Sequence, residues 1–218
     1  MGRGSLIACL GDSITATHPN GYVNFLQELA DQNHPEQELT FLNWGKSSET
    51  ITGLTEEDHP GPRPYLFERL DTLLKQTDVD VLFFCYGMNC GIYGKPSPTL
   101  FNSYRIGVYT FLEKIKAKGV KAVLLTPPPL ALAAFALGPL SEKTSYSYLN
   151  PYPEYETEVL QEFRNILHGI DHSHLLGVID IHSILKEHQK KVYTQDPIHP
   201  NGQGHRLIAE TIMAQLSF

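Results

Sequence analysis

The chain reads as an α/β protein of three layers, α/β/α, built around a five-stranded, mainly parallel sheet. Three observations predict this. Short apolar runs alternate with stripes of apolar residues three and four apart, the order expected of repeated βαβ units. Residues 79–86 are apolar almost without a break, which suits a central strand covered on both faces. With 218 residues, of which 41% are hydrophobic and 19% charged, the chain can bury one sizeable core, and no internal repeat, low-complexity tract or domain boundary divides it.

Taken in order, residues 6–10 form a first buried strand that ends in a turn at Gly11. Tyr22, Phe25, Leu26, Leu29 and Ala30 fall on one helical face. Residues 39–43 give the second strand, and 53–64, rich in Pro, Gly and acids, read as a surface loop. Leu66, Leu70, Leu73 and Leu74 mark a second helix, 79–86 the third strand, and 91–99 another loop. A third helical stripe (Tyr104, Val108, Phe111, Leu112, Ile115) is stopped by Lys118-Gly119, a cation followed by a residue tolerant of left-handed backbone. The fourth strand, 122–125, runs into three prolines at 127–129. Tyr155, Val159, Phe163, Ile166 and Leu167 give a fourth helix, 176–181 a fifth strand and 184–191 a short helix. Leu207, Ile208, Thr211, Ile212 and Leu216 form the last one. Residues 130–153 show no clear period, and 127–153 read either as a short helix and a loop packed on the sheet or as a rim over the site. They leave the fourth strand from the carboxyl edge of the sheet, where loops build ligand sites, which is what favours the rim or lid reading.

A net charge of −7 without a basic run argues against nucleic acid or an anionic membrane as partner. No stretch reaches the ~18 apolar residues of a membrane span. Cys9, Cys85 and Cys90 make no disulfide framework, and two of them lie in predicted buried strands, as in a reducing compartment. No signal pattern is visible at the N-terminus, so the cytoplasm is the default location, with a removed leader as the alternative. The oligomeric state is left open.

Two motifs carry chemistry. Gly11-Asp12-Ser13-Ile14 follows the first strand and points a small hydroxyl out of its carboxyl end. Asp196-Pro197-Ile198-His199-Pro200, near the other end of the chain, offers a base and, three residues before it, the acid that would fix its tautomer. Read alone, each motif is equally at home in a capped turn or a decorated surface loop. Together with Asn43-Trp44-Gly45 after the second strand and Tyr86-Gly87-Met88-Asn89 after the third, they form an ordered set that resembles the SGNH (GDSL-type) hydrolases.

The resemblance spans residues 11–200 and implies a flavodoxin-like sheet and serine-dependent hydrolysis of carboxylic esters. It makes Ser13 the nucleophile, His199 the base and Asp196 its orienting acid. The oxyanion would be held by the N–H groups of Ser13 and Gly45 and by the Asn89 amide. Two departures stand out: Cys90 replaces the Asp that often follows the family's Gly-x-Asn, and Lys46-Ser47-Ser48-Glu49 stands where many members continue with a further glycine.

The expected substrates are short-chain acyl esters, O-acetylated carbohydrates among them. Tyr86, Tyr93, Tyr146 and Tyr148 are candidates to stack on a sugar ring, and the run 130–137 to receive an acyl tail. The alternatives are a lysophospholipase- or thioesterase-type acyl hydrolase, or a non-catalytic glycan- or acyl-binding protein on the same fold. No metal or cofactor is required. Asp171, His172, His174 and Asp180 have no recognisable ligand spacing.

Overall fold

The computed structural model describes residues 2–134 and 145–216. Five strands, β1 (Leu6–Gly11), β2 (Thr40–Gly45), β3 (Val81–Cys85), β4 (Lys121–Leu125) and β5 (Leu175–Ile179), form one sheet in the order β2-β1-β3-β4-β5. Every neighbouring pair is parallel. The mainly parallel prediction thus resolves to a wholly parallel sheet.

Alternate strand residues face opposite ways, and each set has its own helical layer. Ala8, Leu10, Leu82, Phe84, Ala122 and Leu124 pack with buried residues of α3 (Leu70–Gln76), α4 (Pro98–Lys116) and α5 (Gln161–His168). Ile7, Cys9, Val81, Phe83, Cys85, Val123 and Leu125 pack with α2 (Tyr22–Asn33), α6 (Ile181–Glu187), α7 (Gln189–Val192) and α8 (Gly202–Met213). Both faces of the inner strands are therefore dry, which is why 79–86 reads as continuous apolar sequence.

The sheet differs from the sequence reading where capping chemistry overrides side-chain pattern. The fifth strand ends at Ile179 rather than at 181, because the Asp180 carboxylate accepts the N–H groups of His182 and Ser183 and starts α6 at Ile181. Likewise α8 begins a turn before its apolar stripe, where Asn201 caps the N–H groups of Gln203 and Gly204. The helix predicted from Tyr155 opens as a π-helical turn, Tyr155–Leu160, that runs into α5.

The registers align the carboxyl ends of three strands: Gly11 pairs with Gly45 on one side and with Cys85 on the other. The short helix α1 (Ser13–Ala16) leaves β1 at this edge, capped by Asp12, whose side chain accepts the Ile14 N–H at 3.0 Å. Asn43 ties the end of β2 to α1: its amide donates to the Thr15 carbonyl at 2.7 Å and accepts the Gly45 N–H at 2.9 Å.

Candidate active site

Ser13 is the first residue of α1, and its Oγ lies 3.0 Å from His199 Nε2. The His199 Nδ1 sits 3.0 and 3.1 Å from the two oxygens of Asp196. A carboxylate only accepts, so Nδ1 carries the proton and Nε2 turns its lone pair to the serine hydroxyl. Asp196 is itself held by its own loop, where Oδ1 accepts the N–H groups of Ile198 at 2.7 Å and His199 at 2.8 Å. Partial burial works against ionisation of Asp196, but these N–H groups and the imidazole outweigh it and hold the carboxyl below its usual range. A further bond from the Ala131 N–H to the Pro197 carbonyl, 2.8 Å, fastens this loop to the chain beyond β4. Residues separated by 186 positions are thus brought into one line.

The line opens on a cleft of about 350 Å³ bounded by Ser13, Ser47, Ser48, His59, Pro60, Arg63, Asn89, Tyr93, Tyr148, Ile198 and His199. Asn89 follows β3 and lies 95% buried at its floor. Its Nδ2 is 3.3 Å from Asp12 Oδ2, and its Oδ1 accepts the Tyr93 hydroxyl at 2.9 Å.

Asp12 is buried, and that burial pushes its carboxyl up to about 6, although the Ile14 N–H and the nearby His199 and Arg63 favour the charged form. Unfolded, the same group titrates near 3.8. Between these values the folded chain keeps a proton that the unfolded chain has released, so this group's contribution to stability falls as pH rises through the window and is level above it. The expected fall is roughly 3 kcal/mol. Denaturant melts of wild type and Asp12→Asn from pH 4 to 7 check it: the stability difference between them should move by that amount, and a difference flat with pH refutes it.

Several predicted site residues have other positions. Gly45 does not line the cleft, and its N–H is spent on Asn43. A Cβ at Gly45 would stand 2.2 Å from the Ala16 nitrogen, so glycine is required there for the close approach of β2 to α1. The cleft instead meets Ser48, whose φ of +64° lies in the left-handed region favoured by glycine and whose N–H donates to no other described group. Tyr86 is buried behind the cleft with its hydroxyl on Glu49, which Arg69 also grips at 2.6 Å, so no ring face is left for a ligand. Tyr146 packs edge-on against Tyr152 beside Lys95, outside the cleft. Tyr93 lines the cleft but is 1% exposed, and Tyr148 reaches the rim and meets the His59 ring edge-on at 6.2 Å.

Leu130 and Ala131 are buried core residues and do not border the cleft. The part of the run 130–137 beyond 134 lies outside the described residues. His172 and His174 sit just before β5, at the opposite edge of the sheet, bonded to Glu113 and the Val120 carbonyl. Among the described residues no helix is long and apolar enough to cross a membrane.

The residues that sequence reasoning missed come from 47–63. Arg63 and Glu56 form a bidentate pair at 2.6 and 2.5 Å, with side chains 2% and 1% exposed, which folds the 53–64 loop back over the site. The signal for Ser48 was the departure from glycine after the second block. The signal for Arg63 was one more charge in a loop full of them.

A serine, a histidine and an aspartate in line at the carboxyl edge of a three-layer α/β/α fold are arranged as acyl transfer requires. A model of the GDSL-like lipase/acylhydrolase family matches residues 9–207, and the chain belongs to that family. Among solved structures it is similar to LAE5, an α/β hydrolase from the metagenome of Lake Arreo, Spain, with 20% identity, 98% of this chain and 95% of that one covered, and a TM-score of 0.68. It is also similar to Axe2, an acetylxylan esterase from Geobacillus stearothermophilus, with 18% identity, 100% and 96% covered, and a TM-score of 0.68. At these identities the likeness is one of fold. A comparison with curated proteins returns no match.

Proposed function

We propose that the protein hydrolyses short-chain acyl esters, acetyl esters of carbohydrates first among them, with Ser13 as nucleophile. The observation that carries this reading is the unbroken relay from Ser13 through His199 to Asp196, with links of 3.0 Å, at the mouth of a cleft of about 350 Å³. Ser13 Oγ attacks the ester carbonyl as His199 Nε2 takes its proton, and Asp196 stabilises the imidazolium. The oxyanion is held by the N–H groups of Ser13 and Ser48 and by the Asn89 amide, each such donor being worth roughly 3 kcal/mol in the transition state. His199 then protonates the departing alkoxide, and a water activated in the same way frees the acid from Ser13. Ser48 takes the place given to Gly45 in the sequence reading, because its N–H is unspent and borders the cleft.

Cleft size supports a small acyl group, since a space of about 350 Å³ must also admit the leaving group. Tyr148 and His59 at the rim supply ring faces for a sugar leaving group, and the fold-mate Axe2 bears an acetylxylan esterase name. The test is a series of p-nitrophenyl acetate, butyrate and octanoate beside an acetylated xylo-oligosaccharide. The specificity constant should fall by roughly 10-fold or more from butyrate to octanoate. Tyr148→Ala should lower it on the oligosaccharide by roughly 3- to 10-fold while p-nitrophenyl acetate stays within about twofold. A preference for octanoate would overturn the short-chain reading.

A further inference from the structure

We infer that Tyr93 is a positioning residue that, together with Asp12, holds the Asn89 amide with its N–H end toward the substrate. This rests on the reading of Asn89 as an oxyanion donor. An amide turned by half a rotation about its last bond would present an oxygen where the oxyanion forms, and oxygen repels oxygen. Some group must therefore tell the two ends apart. The Tyr93 hydroxyl and the Asp12 carboxylate do so together: a hydroxyl can donate or accept, but a carboxylate only accepts, so the amide turns an N–H to Asp12 and its Oδ1 to the Tyr93 hydroxyl, which donates to it at 2.9 Å. On the other side Asp12 Oδ2 receives one N–H of the same amide at 3.3 Å. With oxygen fixed on Tyr93 and one N–H on Asp12, the second N–H is left for the cleft that Asn89 lines.

The chain holds Tyr93 there against its own backbone preference. Ile92 and Tyr93 both have left-handed backbone, φ +47° and +56°, which a β-branched and an aromatic residue rarely adopt. Glycines stand on either side, at 91 and 94, yet neither takes a left-handed conformation. Backbone of this kind persists only where the surroundings over-determine it. Here they do so. The Tyr93 ring is 1% exposed, stacks on Tyr155 at 5.3 Å and lies under the Arg63 guanidinium at 5.8 Å. Its carbonyl accepts the Tyr152 N–H at 2.8 Å. The Tyr155 hydroxyl in turn donates to the Met88 carbonyl at 2.9 Å and accepts the Gly91 N–H at 3.2 Å, bracketing Asn89 on both sides. A ring this enclosed offers no stacking face to a sugar, so the predicted substrate contact at Tyr93 gives way to a role behind the donor.

The experiment is a double-mutant cycle on the full chain with p-nitrophenyl acetate. Tyr93→Phe keeps the ring and should lower kcat by roughly 10-fold with KM within about twofold, while Asn89→Ala lowers kcat by roughly 100-fold. Adding Tyr93→Phe to Asn89→Ala should cost less than about twofold more, because the amide it orients is already gone. Affinity for a boronic acid, which forms a tetrahedral anion on the serine, should fall with Tyr93→Phe by the same roughly 10-fold factor, giving a readout independent of turnover. If Asn89→Ala loses activity while Tyr93→Phe does not, or if Tyr93→Phe costs as much without Asn89 as with it, the positioning role is wrong and the oxyanion reading stands. If Asn89→Ala retains full kcat, the oxyanion reading itself fails and takes this inference with it.

Discussion

Ser13→Ala is expected to cut kcat/KM on p-nitrophenyl acetate by roughly 10⁴-fold or more while moving the melting temperature by no more than about 4 °C. The two halves of this expectation have separate causes. The Ser13 side chain contributes one hydrogen bond, to His199, and no core packing, so its removal costs about 1 kcal/mol of stability. Its removal also takes away the hydroxyl in line with the base. No nearby thiol can replace it: Cys90 is fully buried, and that burial pushes its thiol up to about 12. In the proposed relay serine and histidine work as a unit, so His199→Ala should cost a similar factor, and the double variant little more than either single one. More than about a tenth of wild-type turnover in a folded Ser13→Ala protein would remove serine from the mechanism.

How far such a site can be read from sequence depends on what each residue contributes. The roles proposed for Ser13, Asn89, Asp196 and His199 need side chains that few residue types can supply, in short blocks tied to strand ends, and all four residues meet at one edge of the sheet. A backbone donor has no such mark, since every residue but proline has an N–H. Glycine after β2 invites the oxyanion assignment, but at Gly45 the small residue answers to the backbone of α1, and the open N–H belongs to Ser48 three residues later. Charge misleads in the same way. Arg63 and Glu56 read as members of a solvated loop, yet each satisfies the other and both are buried beside the cleft. Tyrosines were legible as rings near the site but not as donors: Tyr86 and Tyr93 spend their hydroxyls on Glu49 and Asn89, and only Tyr148 keeps a rim position. The strands were legible because parallel pairing buries both faces. The start of α6 was not, since Ile181 suits a strand until Asp180 caps a helix.

Gly45→Ala separates the two accounts of the second block, and a large effect is expected. Alanine keeps the backbone N–H, so a glycine serving only as a donor would tolerate the change. The added methyl would instead stand 2.2 Å from the Ala16 nitrogen, 2.5 Å from the Ala16 Cα and 2.6 Å from the Thr15 carbonyl carbon. All three are backbone atoms of the four-residue helix that begins at Ser13, so no side-chain rotation relieves the contact. Either β2 moves away from α1, breaking the bond from the Asn43 amide to the Thr15 carbonyl that joins them, or α1 moves and carries the nucleophile with it. Overpacking of this kind costs about 3 kcal/mol or more, which lowers the melting temperature of a domain this size by roughly 6–12 °C. A nucleophile displaced by ~1 Å adds a loss of roughly 100-fold in kcat in the fraction that folds. Ser48→Gly is the counterpart: it keeps the N–H proposed to meet the oxyanion and relieves a left-handed serine, so activity should stay within about threefold and stability should hold or rise by up to ~1 kcal/mol. Thermal melts and p-nitrophenyl acetate kinetics on both variants decide the matter, and a Gly45→Ala protein that melts and turns over like wild type would show that the close approach of β2 to α1 does not govern this position.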